Sequence, residues 1–300
     1  MSQVYLPGIE LGAGPLAFGF WRFAGSTVKI AQEKIETALD VGITLMDNAD
    51  VYGYDGTQGF GDAETLQGDV LRGSPALRDQ MIVATKGGVY LPGPYRSEKG
   101  YLIEACERSL TRLGVDVIDL YQIHRPDLQT PWQDVAEALN TLYEQGKIKA
   151  AGVSNYSADQ MRALKSWLKI PLVSVQPEVS PANMDAFFNG VTDFAQEIDA
   201  AVLAWSPLGG GALTSADAAE ESGEKAVRVF KILQSIAERE NVEAWHVALK
   251  FLMMHGSKMI PILGTQSPKR IRESVRSVSV HINRVEWYEI VEAWSGEAMP

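Results

Sequence analysis

Cysteine is nearly missing: Cys106 stands alone in 300 residues, so no disulfide within the chain is possible. It falls at helical spacing with Leu102 and Leu110 and reads as a small buried hydrophobe rather than a reactive thiol. No apolar stretch reaches about 18 residues and no N-terminal run resembles a signal peptide. A membrane span is therefore not expected, and a cytoplasmic location is. An excess of basic residues is also lacking. With a formal net charge of −11 and a pI near 4.9, the chain has no broad cationic footprint for nucleic acid or an anionic membrane. It can still hold one phosphate-bearing small molecule in a locally basic pocket. His246, His255 and His281 show no metal-ligand spacing to one another, so each reads as a surface or core histidine and no metal site is expected.

What is present is an ordinary globular composition, 46% hydrophobic and 22% charged, enough to bury a large core. After a hairpin expected in "VYLPGIELGAG", short apolar strands recur around 15–19, 43–46, 81–85, 117–123, 148–153, 172–176, 201–205 and 259–263. Amphipathic stripes lie between them: Ala31, Ile35, Ala38 and Leu39; Leu102, Ala105, Cys106, Ser109, Leu110 and Leu113; Val135, Ala138, Leu139 and Leu142. Thr130–Pro131 and Ser267–Pro268 read as helix starts, and "SADQ" at 157–160 as a capping box. Gly114, Gly146 and Gly256 read as helix stops. Strand and helix alternating eight times imply parallel strands with right-handed crossovers. The expected fold is an α/β (β/α)8 TIM barrel with an N-terminal β-hairpin and extended βα loops at 87–97 and 206–224. A doubly wound sheet is the alternative. No domain boundary is visible, so residues 1–300 read as a single domain.

"GAGPLA" at 12–17 matches a dinucleotide fingerprint, but a strand follows it where that motif requires a helix, so it is set aside. "LGGGAL" at 208–213 is different, because backbone N–H groups in a glycine cluster can contact phosphate; an ordinary flexible loop is the rival reading. Met253 and Met254 read as core filler. Four residues carry more weight. Asp47 ends the second strand, Tyr52 follows on the next turn, Lys86 ends the third in "MIVATKGG", and His124 ends the fourth in "IDLYQIHRP". Barrel enzymes draw catalytic groups from these strand ends. A phenol beside an ammonium is suited to donate a proton, with the cation expected to lower the phenol's pKa toward the working range. Asp47 would hold Lys86 charged, and a neutral His124 would position a carbonyl oxygen. The set lacks a strong nucleophile, so a partner must supply a hydride. A structural polar cluster at the barrel rim is the duller alternative.

These segments resemble the aldo-keto reductase family over nearly the whole chain. "GITLMDNADVYG", "TKGG" and "QIHRPD" are similar to its catalytic segments, and "GFWR", "GVSNY", "VQPE", "AWSPLGGG" and "PILGTQSPKRIRES" to its cofactor segments. "SPANMDAF" and the tail ending "AMP" resemble a bacterial subgroup. The resemblance implies a catalytic tetrad of Asp47, Tyr52, Lys86 and His124, with Tyr52 as the acid. It implies Ser154, Asn155 and Gln176 at the carboxamide of the nicotinamide, with Trp205 stacked on that ring. Ser206, Leu208, Gly209 and Gly211 would line the pyrophosphate. Thr265 and Arg270 would meet a 2′-phosphate where Ser267–Pro268 opens a helix, and Glu273 would approach the adenine. Gly264 and Ser274 stand where many relatives carry lysine and asparagine, which weakens the case for NADP over NAD. Lys269 is the candidate to compensate, NADPH is the expected cofactor and NADH stays open. Trp21, Phe23, Tyr54, Tyr90 and the 87–97 loop would wall a pocket for a neutral or sugar-like carbonyl compound. Arg22, Arg96 or Arg125 would add a polar anchor.

Two other functions fit the same residues. One is a nucleotide-sensing regulatory subunit on the same fold. The other is a Schiff-base aldolase using Lys86, which Asp47 opposes by keeping the amine protonated and so a poor nucleophile. Oligomeric state has no sequence signal.

Overall fold

The structure, a computed structural model, describes residues 3–91 and 93–299. Pro92, within the 87–97 loop, and Pro300, in the tail, lie outside the described residues. Eight parallel strands close into a barrel in sequence order: β1 (Ala17–Gly19), β2 (Leu45–Asp47), β3 (Ile82–Gly87), β4 (Ile118–Ile123), β5 (Ile148–Ser154), β6 (Leu172–Gln176), β7 (Ala201–Ala204) and β8 (Lys258–Leu263). The helices are α1 (Val28–Asp40), α2 (Asp62–Gly73), α3 (Lys99–Leu113), α4 (Trp132–Glu144), α5 (Ala158–Lys165) and α6 (Asp185–Phe188). They continue with α7 (Val191–Glu197), α8 (Ala216–Ser222), α9 (Glu224–Glu240), α10 (Ala244–Met253), α11 (Pro268–Ser274) and α12 (Arg284–Ser295). All eight expected strands are present, and the closed ring replaces the doubly wound alternative.

Side chains alternate across a strand, and that parity organises the interior. Ala17, Leu45, Ala84, Leu120, Ala150 and Leu203 fill the barrel, joined by Leu6, Ile9 and Ala13 from the N-terminal segment. Two residues further along, the same parity delivers Gly19, Asp47, Lys86 and Gln122 to the C-terminal end. The hydrophobic layer is thus the floor of the polar one.

The local signals hold unevenly. Ser157 and Gln160 form the expected capping box, and the Ser267 hydroxyl accepts from the Arg270 N–H. Gly114 ends α3 in the left-handed region. Thr130 does not cap α4: its hydroxyl donates to Asp127 at 2.7 Å, and Pro131 takes the cap position. Gly256 lies two residues beyond Met254, which caps α10. The N-terminal hairpin is one antiparallel bridge, Val4 to Ala13. The "GAG" glycines serve packing: a Cβ on Gly14 would collide with the Gly42 carbonyl. The 206–224 segment is not open loop, because it carries a 3-10 turn at Gly209–Gly211 and then α8. Cys106 is fully buried and its thiol is pushed up to about 12 by burial. Met254 is exposed and only Met253 packs on the core.

Candidate active site

The turn after β2 is held against its neighbour by the backbone. Asn48 N–H donates to Ala84 C=O and Asp50 N–H to Lys86 C=O, both at 2.9 Å, so the ladder to β3 continues past the last strand residue. Tyr52 N–H then closes on Ala49 C=O at 3.1 Å. Gly53 follows at φ +102, and a Cβ there would meet Asp62 Cβ at 2.8 Å, so the turn that presents Tyr52 requires glycine.

Lys86 Nζ is fully buried and donates three hydrogen bonds: to Asp47 Oδ2 at 2.8 Å, to Asn48 C=O at 2.8 Å and to the Tyr52 hydroxyl at 3.0 Å. An ammonium has three hydrogens, so all are committed. The Tyr52 oxygen is therefore an acceptor toward Lys86, and its own proton is left for another group. The second Asp47 oxygen accepts from Gln176 Nε2 at 2.9 Å and Gln122 Nε2 at 3.3 Å. Gln122 was not singled out in the sequence, although its parity with Leu120 on β4 points it inward. The His124 ring lies 5.7 Å from the Tyr52 ring at 77°, and its buried Nδ1 has no partner among the described residues. The four expected groups converge.

Their protonation follows from burial. Desolvation raises the Tyr52 pKa above the ordinary phenol value, and Lys86 offsets only part of it. The lowering expected from the neighbouring cation is thus outweighed, and the phenol keeps its proton. For Lys86 burial acts downward, but Asp47 and Tyr52 together outweigh it and hold the amine protonated. Burial, helped by Lys86 and Arg125, pushes the His124 pKa well below the usual imidazole value, so the ring is neutral.

A cavity of about 850 Å³ opens from this cluster and runs along the barrel rim. Of the residues expected at a cofactor, Ser154, Asn155, Gln176, Trp205, Ser206, Leu208, Gly211, Thr265, Arg270 and Glu273 line it. Gly209 does not: a Cβ there would face Ala182 and Ser180, and Gly210 lines the cavity instead. Asn155, at φ 60, anchors the floor. Its amide donates to Ser154 Oγ at 2.8 Å and to His124 C=O at 3.3 Å, and its oxygen accepts from Trp205 Nε1 at 3.0 Å. Ser206 is also left-handed, at φ 50, so two non-glycine residues are held in sparsely populated conformations at this rim.

The expected substrate wall is mostly absent. Trp21 lines the cavity and packs edge-on against Tyr52 at 5.2 Å. Phe23 does not, because the turn closed by its N–H on Phe20 C=O sinks the ring into a core cluster with Phe18 and Phe20. Tyr54 hydrogen-bonds within its own turn, to Gly56 C=O at 2.6 Å. Tyr90 packs on Tyr101 outside the cavity, with the Arg96 guanidinium over it. Arg96 itself pairs with Glu98, which leaves Arg22 and Arg125 as the expected anchors that line the cavity. At the far end stand residues the sequence did not single out for this role: Trp245, His246 and Arg276. His246 is a buried helix-start residue that accepts from Glu243 N–H and stacks on Trp245. Its pattern within α10 looks like core, which hid it.

A family model described as "Aldo/keto reductase family" matches residues 15–295. A 6-dehydroglucose reductase of Novosphingobium aromaticivorans is 43% identical over 97% of this chain and 94% of its own length. A second protein of that name, from Agrobacterium fabrum, is 36% identical over 94% of each chain. Among solved structures, a glycerol dehydrogenase from Gluconobacter oxydans superposes with a TM-score of 0.82 at 26% identity, covering 98% of this chain and 95% of that one. With the barrel, the strand-end cluster and these similarities together, the chain belongs to the aldo-keto reductase family and is an NAD(P)H-dependent carbonyl oxidoreductase.

Proposed function

We propose that this protein reduces the carbonyl of a sugar-like aldehyde with NADPH, with Tyr52 as the proton donor. One observation carries the reading: Lys86 spends all three hydrogens on Asp47, Asn48 and the Tyr52 oxygen, so the phenolic proton is directed to a group the protein does not supply. The relatives named 6-dehydroglucose reductase support the choice of a sugar carbonyl.

The cavity fits a nicotinamide dinucleotide. Trp205 offers a flat ring fixed by Asn155, Ser154 and Asn155 stand beside it, and the glycine run brings bare backbone close to the cavity. When bound, the cofactor supplies the hydride. The chain's own groups manage the oxygen. Neutral His124 hydrogen-bonds it, Tyr52 gives it a proton, and Lys86 steadies the phenolate left behind while Asp47 keeps Lys86 charged.

At the far end, Gly264 leaves open space and the Ser274 hydroxyl is spent on Ile271 C=O. Lys269 leans toward Glu273 at 3.8 Å, so a 2′-phosphate would rely on Arg270 with help from Lys269. These two cations at the cavity wall support NADPH ahead of NADH. The Lys86 amine, buried and fully engaged, argues against a Schiff-base aldolase.

The test is loss of reduced-nicotinamide absorbance, with NADPH and NADH offered separately against hydroxylated aldehydes, simple aldehydes, ketones and aldoses. Oxidation of NADPH by an aldehyde is expected. No oxidation with any carbonyl would remove the reading.

A further inference from the structure

We propose that Arg125 selects hydroxyl-rich carbonyl substrates, its guanidinium hydrogen-bonding neighbouring hydroxyls of the molecule whose carbonyl oxygen meets Tyr52. This rests on the reductase reading and names the substrate class of that site. Arg125 directly follows His124, is half-buried and lines the cavity that Tyr52 and His124 share. Other partly buried guanidiniums in the chain have carboxylates. Arg112 pairs with Glu64 at 2.7 Å and Arg78 with Asp119 at 2.9 Å. Arg125 has neither an acidic partner within 4 Å nor a hydrogen-bond acceptor among the described residues. It lies instead 5.9 Å from the centre of the Trp205 ring, whose indole nitrogen is tied to Asn155.

A guanidinium withdrawn from part of its water and given no acceptor is left with donors to satisfy. Its planar fork suits two oxygens held side by side, as adjacent hydroxyls hold them. The remaining wall next to Tyr52 fits the same ligand. Trp21 is 63% exposed, and an exposed indole can cover the C–H face of a polyol. An aromatic plate beside a donor fork recognises a molecule with one apolar face and hydroxyls at its edge. A plain alkyl aldehyde would leave the Arg125 donors unmatched.

The test compares D-glyceraldehyde with propanal, which has the same carbon chain and no hydroxyls, in the full-length protein and in the R125L and R125K variants. R125L is expected to lower the glyceraldehyde-to-propanal ratio of kcat/KM about tenfold or more, the loss falling in KM rather than kcat, with partial recovery in R125K. An unchanged ratio in R125L overturns the assignment, since it would give Arg125 a structural or cofactor role. A greater loss for succinic semialdehyde than for glyceraldehyde also overturns it, assigning the guanidinium to an anion. Failure of the unmodified protein to oxidise NADPH with every carbonyl overturns the reductase reading, and the assignment falls with it.

Discussion

On the proposed reading Tyr52 is suited to act as the acid, because two influences on it are unequal. Burial favours the neutral phenol more than Lys86 favours the phenolate, so the phenol keeps its proton and, in the proposed role, would give it up as a substrate oxygen acquires charge. Tyr52→Phe removes that proton while leaving the ring in place, and kcat should fall by at least about a hundredfold with cofactor affinity little changed. Comparing steady-state rates with a fluorescence titration of NADPH checks both halves. The pH profile has a definite sign. In the proposed roles Tyr52 works protonated and its pKa is raised, while His124 works neutral and its pKa is depressed. Reduction should hold level from about pH 6 to about pH 9 and decline only in alkali. An acid limb centred near the ordinary histidine value would show that burial does not keep His124 neutral.

Asp50 lies just behind this cluster, buried, with Oδ1 lacking a partner among the described residues. Burial, with Glu64 adding its negative charge, raises its pKa well above the carboxylate range, against the pull of Arg112, Arg108 and Lys86. A raised folded-state pKa means the unfolded chain releases this proton first as pH rises. Stability is then lost from about pH 4 up through the folded-state value. Asp50→Asn should raise stability at neutral pH by about 1–3 kcal/mol, the gain shrinking toward pH 4. Denaturant melts at two pH values measure it, and a loss at neutral pH would contradict the assignment.

At the scale of elements, short strands followed by strained turns place the chemistry. The strands were legible because each is a short, largely apolar run, most of them stopping at or just before a polar or glycine residue, and the capping box at Ser157 because its bonds are local. Thr130 misled because a nearby acid, Asp127, competes for its hydroxyl, a rivalry that spacing does not reveal. The 87–97 loop misled for a similar reason. Tyr90 and Arg96 look like a pocket wall in one dimension, but Tyr101 and Glu98 satisfy them elsewhere. The turn after β7 shows what glycine is for: Gly209, Gly210 and Gly211 lie at φ +61, +68 and +114. Nothing lies within 4 Å of a Cβ on Gly210, so Gly210→Ala tests backbone strain alone. It should cost about 1–2 kcal/mol in a denaturant melt.

The whole molecule is a ring, and the polar cluster at its strand ends bolts that ring together. Asp47 on β2 receives Lys86 from β3, Gln122 from β4 and Gln176 from β6. Asp47→Asn would leave the Lys86 ammonium buried without its counter-charge. It should cost about 3–5 kcal/mol, far more than a surface ion pair, as well as activity. Thermal unfolding of the variant beside Tyr52→Phe separates the structural from the chemical part. Among the described residues no helix is long and apolar enough to cross a membrane.

The sequence by itself determined the barrel and brought its strand-end polar groups forward as the candidate site. Periodicity and strand-end residues are local records of which side chains face inward and where each strand stops. Only the tertiary structure decided that burial outweighs Lys86 at Tyr52, that Phe23, Tyr54 and Tyr90 leave the cavity, and that Arg125 is left without a partner. Each of those depends on what the rest of the chain brings alongside a residue, and desolvation and pairing are properties of that company.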